Sequence, residues 1–182
     1  MAESMLGSVA VIGGGIAGMQ ASLDLAEQGF LVYIIESNPS IGGRMVQLDK
    51  TFPTLDCAMC ILGPKLVDIQ RHPNIRLLTY CDAKELSGSP GNFKLKYLKK
   101  ARYVDEDKCT GCGECEENCP YWVNDDFNAS LMRKDKKGRD KPSRKTISIP
   151  FPQAVPKVAY IQAQNCAYLK KGKSVLGEKK ED

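Results

Sequence analysis

No run of about 18 apolar residues occurs in the 182-residue sequence, so no membrane-spanning helix is expected. The first eight residues hold no basic cluster, and the apolar run Val9–Ile12 breaks at once into glycines. A secretory signal peptide is therefore not expected, and a cytoplasmic location is. No Ser/His/Asp set and no carboxylate pair is legible, which sets hydrolysis aside. The single histidine, His72, precedes Pro73 at a predicted helix end, a place for a capping cation rather than a catalyst. No internal repeat survives intact. A second nucleotide fingerprint is also missing, which weighs against an NAD(P)-linked oxidoreductase.

What is present is cysteine and unevenly spread charge. There are eight cysteines in a chain that is 42% hydrophobic and 26% charged. That composition is globular. Without a secretory signal, so many cysteines point to metal or redox chemistry rather than a disulfide scaffold. Residues 1–130 carry 12 Lys/Arg against 17 Asp/Glu, and residues 131–182 carry 14 against 5. A basic tail is one mark of nucleic-acid binding. This one lacks regularly interleaved aromatics and fits no nucleic-acid module, so a solvated loop or a docking surface for an acidic partner is expected instead.

The chain opens with a predicted buried strand, Val9–Ile12, followed by glycines. Ile16, Met19, Leu23 and Ala26 then recur at helical spacing, and Gly29 is placed to end that helix. Leu31–Ile35 is a second apolar run, closed by Glu36. This order is a βαβ unit. Further on, the sequence predicts a loop over Asn38–Thr54, a helix over Leu62–Arg71 and a strand over Ile75–Tyr80. A hairpin follows, pairing Ala83–Ser87 with Phe93–Leu98. The character changes near Tyr103. Met132–Arg144 reads as a charged loop, and the stretch from Lys170 as a frayed end.

Gly13-Gly14-Gly15-Ile16-Ala17-Gly18 fits G-x-G-x-x-G. Gly13 permits the tight turn, Gly15 lets a pyrophosphate approach the backbone, and Gly18 lets helix and strand pack closely. The N–H groups at the helix start, over Ile16 and Ala17, face the phosphates. Glu36 stands where a carboxylate accepts hydrogen bonds from ribose hydroxyls. The competing structural reading is a glycine turn with no ligand.

Cys109-Thr-Gly-Cys112-Gly-Glu-Cys115-Glu-Glu-Asn-Cys119-Pro120 has the spacing of a bacterial [4Fe–4S] ferredoxin run. Zinc is the competing reading, but its motifs use two separated C-x-x-C pairs. In two-cluster ferredoxins the fourth cysteine of such a run ligates the other cluster. Three fourth ligands therefore stay open: Cys119, Cys166, or a residue of a segment or partner chain not in this sequence. Cys57 and Cys60 form a separate C-x-x-C pair. It reads equally as a redox dithiol, as cluster ligands, or as two buried thiols. Cys81, at the end of a strand, reads as structural.

Gly42-Gly43-Arg44 resembles the second glycine signature of FAD domains in flavoproteins with two dinucleotide sites, where it forms a wall beside the cofactor. That resemblance favours FAD over NAD. More broadly, the chain resembles the A-type iron–sulfur subunit of heterodisulfide reductase and its relatives. The segments that carry this are Val9–Gly18, Ile41–Thr54, Asp56–Leu62, Tyr103–Asp105, Cys109–Pro120 and Ile149–Pro156. The resemblance implies an α/β, Rossmann-like FAD/NAD(P)-binding βαβ domain over residues 1–102 and a ferredoxin-like α+β iron–sulfur insertion over 103–182. It implies FAD and two [4Fe–4S] clusters as cofactors, with Gln47 and Lys50 facing the flavin. It implies electron relay or bifurcation, with other subunits of a complex and a hydrogenase, ferredoxin or similar donor as partners. The chain departs from that pattern in two ways. Ser174 and Gly177 stand where second-run cysteines belong, and the rest of the flavin fold does not follow. It therefore reads as an N-terminal fragment with one cluster. The alternative is a truncated ferredoxin-like module without flavin.

Overall fold

The computed structural model describes residues 7–124 and 144–171. Most of the predicted basic loop, and Ser174 and Gly177, lie outside the described residues.

The described residues form two compact units. The first runs up to Ala101 and takes in Gln153–Lys157, and the second is Arg102–Pro152 with the residues from Val158 onward. A boundary drawn along the chain at 102/103 has no place for that short return. Its anchor is local: Ala154 and Val155 are buried, and the N–H of Ile41 donates to the Val155 carbonyl at 2.9 Å.

The first unit is built on three parallel strands. These are β1 (Ser8–Ile12), β2 (Leu31–Glu36) and β5 (Ile75–Thr79), in spatial order β1-β2-β5. The central β2 pairs Val9 with Val32 on one side and Val32 with Ile75 on the other. Val32, Ile34 and Ile35 are buried accordingly. The expectation that Val9–Ile12 is a buried strand is corrected. As an edge strand, β1 leaves Val9 and Val11 half-buried and Ile12 exposed.

Helix α1 (Ile16–Glu27) connects β1 to β2 and buries Met19, Ser22, Leu23 and Ala26. Its end is a Schellman motif. Gly29 (φ 93°) donates to Ala26 O and Phe30 donates to Leu25 O, which satisfies two terminal carbonyls. Helix α2 (Ala58–Arg71) lies beside α1 and buries Ala58, Leu62, Leu66 and Ile69. It begins four residues before the sequence predicts. Cys57 caps it through sulfur, and the fully buried Ala58 fixes its first turn, so exposed Pro64 falls inside the helix. The usual cap residues Ser, Thr, Asp and Asn are absent from that position, which hid the start. His72 ends α2 through a different contact than expected: its Nδ1 accepts the Asn74 N–H at 3.2 Å.

A two-stranded ladder of β3 (Lys50–Thr51) and β4 (Asp56–Cys57) precedes α2. After β5, strands β6 (Cys81–Ser89) and β7 (Asn92–Lys99) form the predicted hairpin around Pro90–Gly91. The Lys100 ammonium donates to Ser37 O at 2.6 Å and to Asp82 Oδ1 at 3.0 Å, tying the hairpin base to the end of β2. That hydrogen bond holds the Asp82 carboxyl below its usual range.

The second unit is made of short pieces. They are α3 (Glu114–Glu117), β8 (Trp122–Val123), β9 (Arg144–Lys145), β10 (Ile147–Ser148), β11 (Tyr160–Ile161) and α4 (Ala167–Lys171). β8 pairs with β9 and β10 with β11, both antiparallel. Its small core includes Val123, Val158, Ala159, Tyr160 and Thr146.

Candidate cofactor sites

The first candidate site lies at the carboxyl ends of β1 and β2, where an open α/β sheet receives nucleotides. Gly13 (φ 101°) turns the chain out of β1 and donates to Ile35 O at 2.8 Å. Gly18 has no room for a side chain: a Cβ there would overlap the Gly13 carbonyl oxygen and crowd Val11. Gly15 is the opposite case, since the nearest atom to a built Cβ is Gly43 Cα at 4.0 Å. The backbone at Gly15 is thus open to a ligand, as a pyrophosphate requires. Met19 makes the first intrahelical bond, to Gly15 O, so the N–H groups of Ile16, Ala17 and Gly18 precede the ladder. No acidic residue lies in the first turn of α1, so nothing there repels phosphate.

Two features close this cradle. The first is Glu36, 5% exposed at the end of β2. Its Oε2 accepts the Gly14 N–H at 2.7 Å. Its Oε1 accepts the Asn38 N–H at 2.8 Å, Asn38 Nδ2 at 2.9 Å and the Ser37 hydroxyl at 3.2 Å. A carboxylate offers about four lone-pair sites, so the protein itself already engages Glu36 fully. Glu36→Gln replaces one acceptor with an amide that faces an N–H. That change is expected to cost about 1–3 kcal/mol, read as a lower melting temperature, with weaker flavin retention. A melting curve matching the parent would refute this structural role.

The second feature is the Gly42–Gly43 segment. Gly42 donates to Gly14 O at 2.7 Å, and a Cβ on Gly43 (φ 59°) would sit 2.8 Å from Gly15 Cα. The two glycine segments are therefore in backbone contact. Ile41 is fully buried under them, and a Cβ on Gly14 would lie 2.5 Å from its Cγ2. Arg44 is exposed and donates to Gln47 Oε1 at 3.2 Å, and Lys50 is exposed on β3. Sequence reasoning missed Asn38, Ile41 and the need for glycine at Gly14. An Asn two residues after a strand-ending acid is a usable signal for the first, because Asn side chains fold back on nearby groups. The contact between Ile41 and Gly14 carries no periodic signal.

The second candidate site is the Cys109–Cys119 run in the second unit. Gly111 (φ 68°) and Gly113 (φ 91°) supply the left-handed turns that curl it, and Gly113 starts α3. Cys109 donates its N–H to Asp105 O, and Cys119 to Glu116 O. The Lys145 ammonium reaches Cys119 O at 2.6 Å and lies 3.9 Å over the Trp122 ring, pinning the end of the run to the β8–β9 ladder. The Cys115 thiol is pushed above the usual cysteine range by burial, and then by the nearby Cys109 and Cys112. Cys119 Sγ donates to Tyr121 O at 3.7 Å. Cys166 is half-buried just before α4, its N–H bonded to Gln162 O. Among the described residues, no three His, Cys, Asp or Glu side chains are gathered tightly enough to hold a metal ion, and Cys166 is not grouped with the run.

Cys57 and Cys60 are both exposed, in neither candidate cofactor site, so the reading of two buried thiols does not hold. Cys81 is buried and donates to Thr79 O. Among the described residues no helix is long and apolar enough to cross a membrane.

Comparison with known proteins agrees with both sites. Residues 8–54 match the FAD dependent oxidoreductase family, and residues 102–121 match the 4Fe-4S binding domain family. FAD and a [4Fe–4S] cluster are the cofactors these two segments denote, and the fold is α/β with a parallel sheet and an iron–sulfur region. The A-type subunit of the H(2):CoB-CoM heterodisulfide,ferredoxin reductase of Methanothermobacter thermautotrophicus is 54% identical over 156 residues, which are 86% of this chain and 22% of that protein. An A-type iron-sulfur subunit of the CoB--CoM heterodisulfide reductase of Methanopyrus kandleri is 56% identical over 148 residues, 81% of this chain and 21% of that protein. The crystal structure of L-proline dehydrogenase from P. horikoshii overlaps 53% of this chain and 20% of its own, at TM-score 0.43 and 22% identity. This chain spans about a fifth of the length of the curated relatives it matches. Over that stretch, it belongs to the family of A-type heterodisulfide reductase subunits.

Proposed function

We propose that this chain is the flavin- and cluster-bearing part of an electron-transfer oxidoreductase subunit of the heterodisulfide-reductase type. The observation that carries this is the pairing, in one chain, of a glycine cradle closed by Glu36 and Gly42–Gly43 with a ferredoxin-spaced cysteine run. When bound, FAD exchanges electron pairs and a [4Fe–4S] cluster moves single electrons. The protein's own part is holding and tuning.

Gly15 and the N–H groups of Ile16 and Ala17 take the pyrophosphate, with Gly13 turning the chain and Gly18 letting α1 pack closely. Glu36 keeps the loop in register through Gly14. Glu36 would hold a ribose hydroxyl, the longest of its bonds, that from Ser37, being the one open to exchange. Gly43 and Arg44 form the wall beside it. Cys109, Cys112 and Cys115 supply three thiolates, and Cys119 or Cys166 the fourth. Backbone N–H groups and burial around those sulfurs set the potential.

The name of the Methanothermobacter relative assigns it to an H(2):CoB-CoM heterodisulfide,ferredoxin reductase. By extension, the partners here are further subunits of such a complex and a hydrogenase, ferredoxin or similar donor, in the cytoplasm. Relay or bifurcation between those partners is the activity.

Anaerobic purification with counts of flavin, iron and acid-labile sulfide per chain tests this. One FAD with about four irons is expected. Iron without flavin refutes the flavoprotein reading and leaves a cluster-binding module.

A further inference from the structure

Cys57 and Cys60 have no role in either candidate cofactor site, yet their arrangement is specific. Cys57 is the N-cap of α2, a 14-residue helix. Its Sγ accepts the Cys60 N–H at 3.2 Å. A backbone donor therefore meets an exposed sulfur at the positive end of a helix. No acidic residue lies in the first turn of α2. Around the pair, Lys50 stands opposite Cys57 across the β3–β4 ladder, and Asp56 precedes it. Asp49, whose carbonyl accepts the Ala58 N–H, opposes the thiolate weakly.

The two thiols are pushed in opposite directions. The neighbouring Cys60, through its thiol and its N–H, holds the Cys57 thiol below the usual cysteine range, and Cys57 in turn raises that of Cys60. One sulfur is prepared to attack. The other keeps its proton until a disulfide is to be resolved. The three-residue spacing in the first helical turn places both on one side of the helix. The same segment exposes Phe52, Leu55 and Ile61, an apolar setting for a disulfide-bearing partner surface.

We propose that Cys57 and Cys60 are a redox-active dithiol that exchanges with an external disulfide, Cys57 attacking and Cys60 resolving. In the first step the Cys57 thiolate forms a bond to one sulfur of R–S–S–R′, and R′–S⁻ leaves and takes a proton from solvent. In the second step Cys60, having lost its proton to solvent, attacks Cys57 Sγ and expels R–S⁻. The dithiol is oxidised by two electrons and the external disulfide is reduced to two thiols. The reaction runs in reverse with an external dithiol.

Glutathione disulfide is the probe, applied anaerobically to the purified full chain after iron has been counted. Differential alkylation and peptide mass spectrometry report the state of each cysteine. The intact chain is expected to form the Cys57–Cys60 disulfide, reversible with dithiothreitol, with iron per chain unchanged. Cys60→Ser is expected to stop at one glutathione on Cys57. Cys57→Ser is expected to slow adduct formation at residue 60 by about tenfold, because the sulfur that accepts the N–H at the helix start is gone. Three results would each overturn the proposal: no disulfide within the pair, equal reactivity of the two cysteines in the single variants, or loss of iron on either substitution. The last would make them cluster ligands. None of these readouts depends on flavin.

Discussion

Gly18→Ala is expected to unfold the first unit or strip it of flavin, while Gly15→Ala leaves the fold and removes the ligand. The two glycines share one motif, but the space around them differs. At Gly18 a methyl group would overlap the Gly13 carbonyl oxygen, with Gly13 C at 3.2 Å and Val11 Cγ1 at 3.4 Å behind it. The first obstacle is backbone, so no rotamer change relieves it. Either α1 moves away from β1 or the Gly13 turn opens, and both disturb the close packing at the heart of the unit. Overpacking of this kind costs about 3 kcal/mol or more. For a unit of this size each kcal/mol lowers the melting temperature by about 4–8 °C. A drop of at least about 12 °C is expected. At Gly15 the nearest atom is 4.0 Å from a built Cβ, so alanine there fits without moving the protein. Its methyl occupies the volume through which a pyrophosphate meets the backbone. A melting temperature within about 2 °C of the parent is therefore expected, with flavin affinity lower by about tenfold or more. Thermal melting and bound flavin, measured on both variants, separate the roles. A Gly18→Ala chain that melts like the parent would show that α1 does not pack on the Gly13 turn as described.

These two glycines also mark how far the sequence speaks. The β1–α1–β2 unit was legible because three local signals agree: a β-branched run, a glycine turn, and apolar positions at helical spacing ended by Gly29. Glu36 was legible by its place at the end of β2. Its engagement was not, because Asn38 and Gly14 meet it only once the turn has folded. The start of α2 was hidden, since a cysteine caps it and Pro64 discourages a helix there. Val155 is more than a hundred residues from Ile41 in sequence, and one hydrogen bond between them leaves no periodic trace. In the second unit the cysteine spacing was clear, but strands of two residues are too short to show alternation. The contact that pins the run, Lys145 on Cys119 O and over Trp122, joins residues from opposite sides of a long charged segment.

Cys115→Ser is expected to remove the cluster from the chain, lowering iron from about four per chain to less than about one. Of the four cysteines in the run, Cys115 is the one on the short helix α3, where burial first, and then Cys109 and Cys112, raise its proton affinity. A cationic metal would reverse that, since it favours its cysteine ligands as thiolates. Serine keeps the size and loses the ligand, so the helix cap at Gly113 and the β8–β9 ladder should persist. Far-ultraviolet circular dichroism close to the parent is the expected control. The same measurement decides the fourth ligand. Cys119 is pinned by Lys145 and lies at the end of the run, whereas Cys166 stands just before α4 and groups with no other ligand among the described residues. Cys119→Ser is therefore expected to lose iron as Cys115→Ser does, and Cys166→Ser to keep it. If Cys166→Ser loses iron while Cys119→Ser keeps it, the cluster closes across the unit instead, and Cys119 faces a second centre as in two-cluster ferredoxins. Iron retained in full by Cys115→Ser would refute the run as a cluster site altogether.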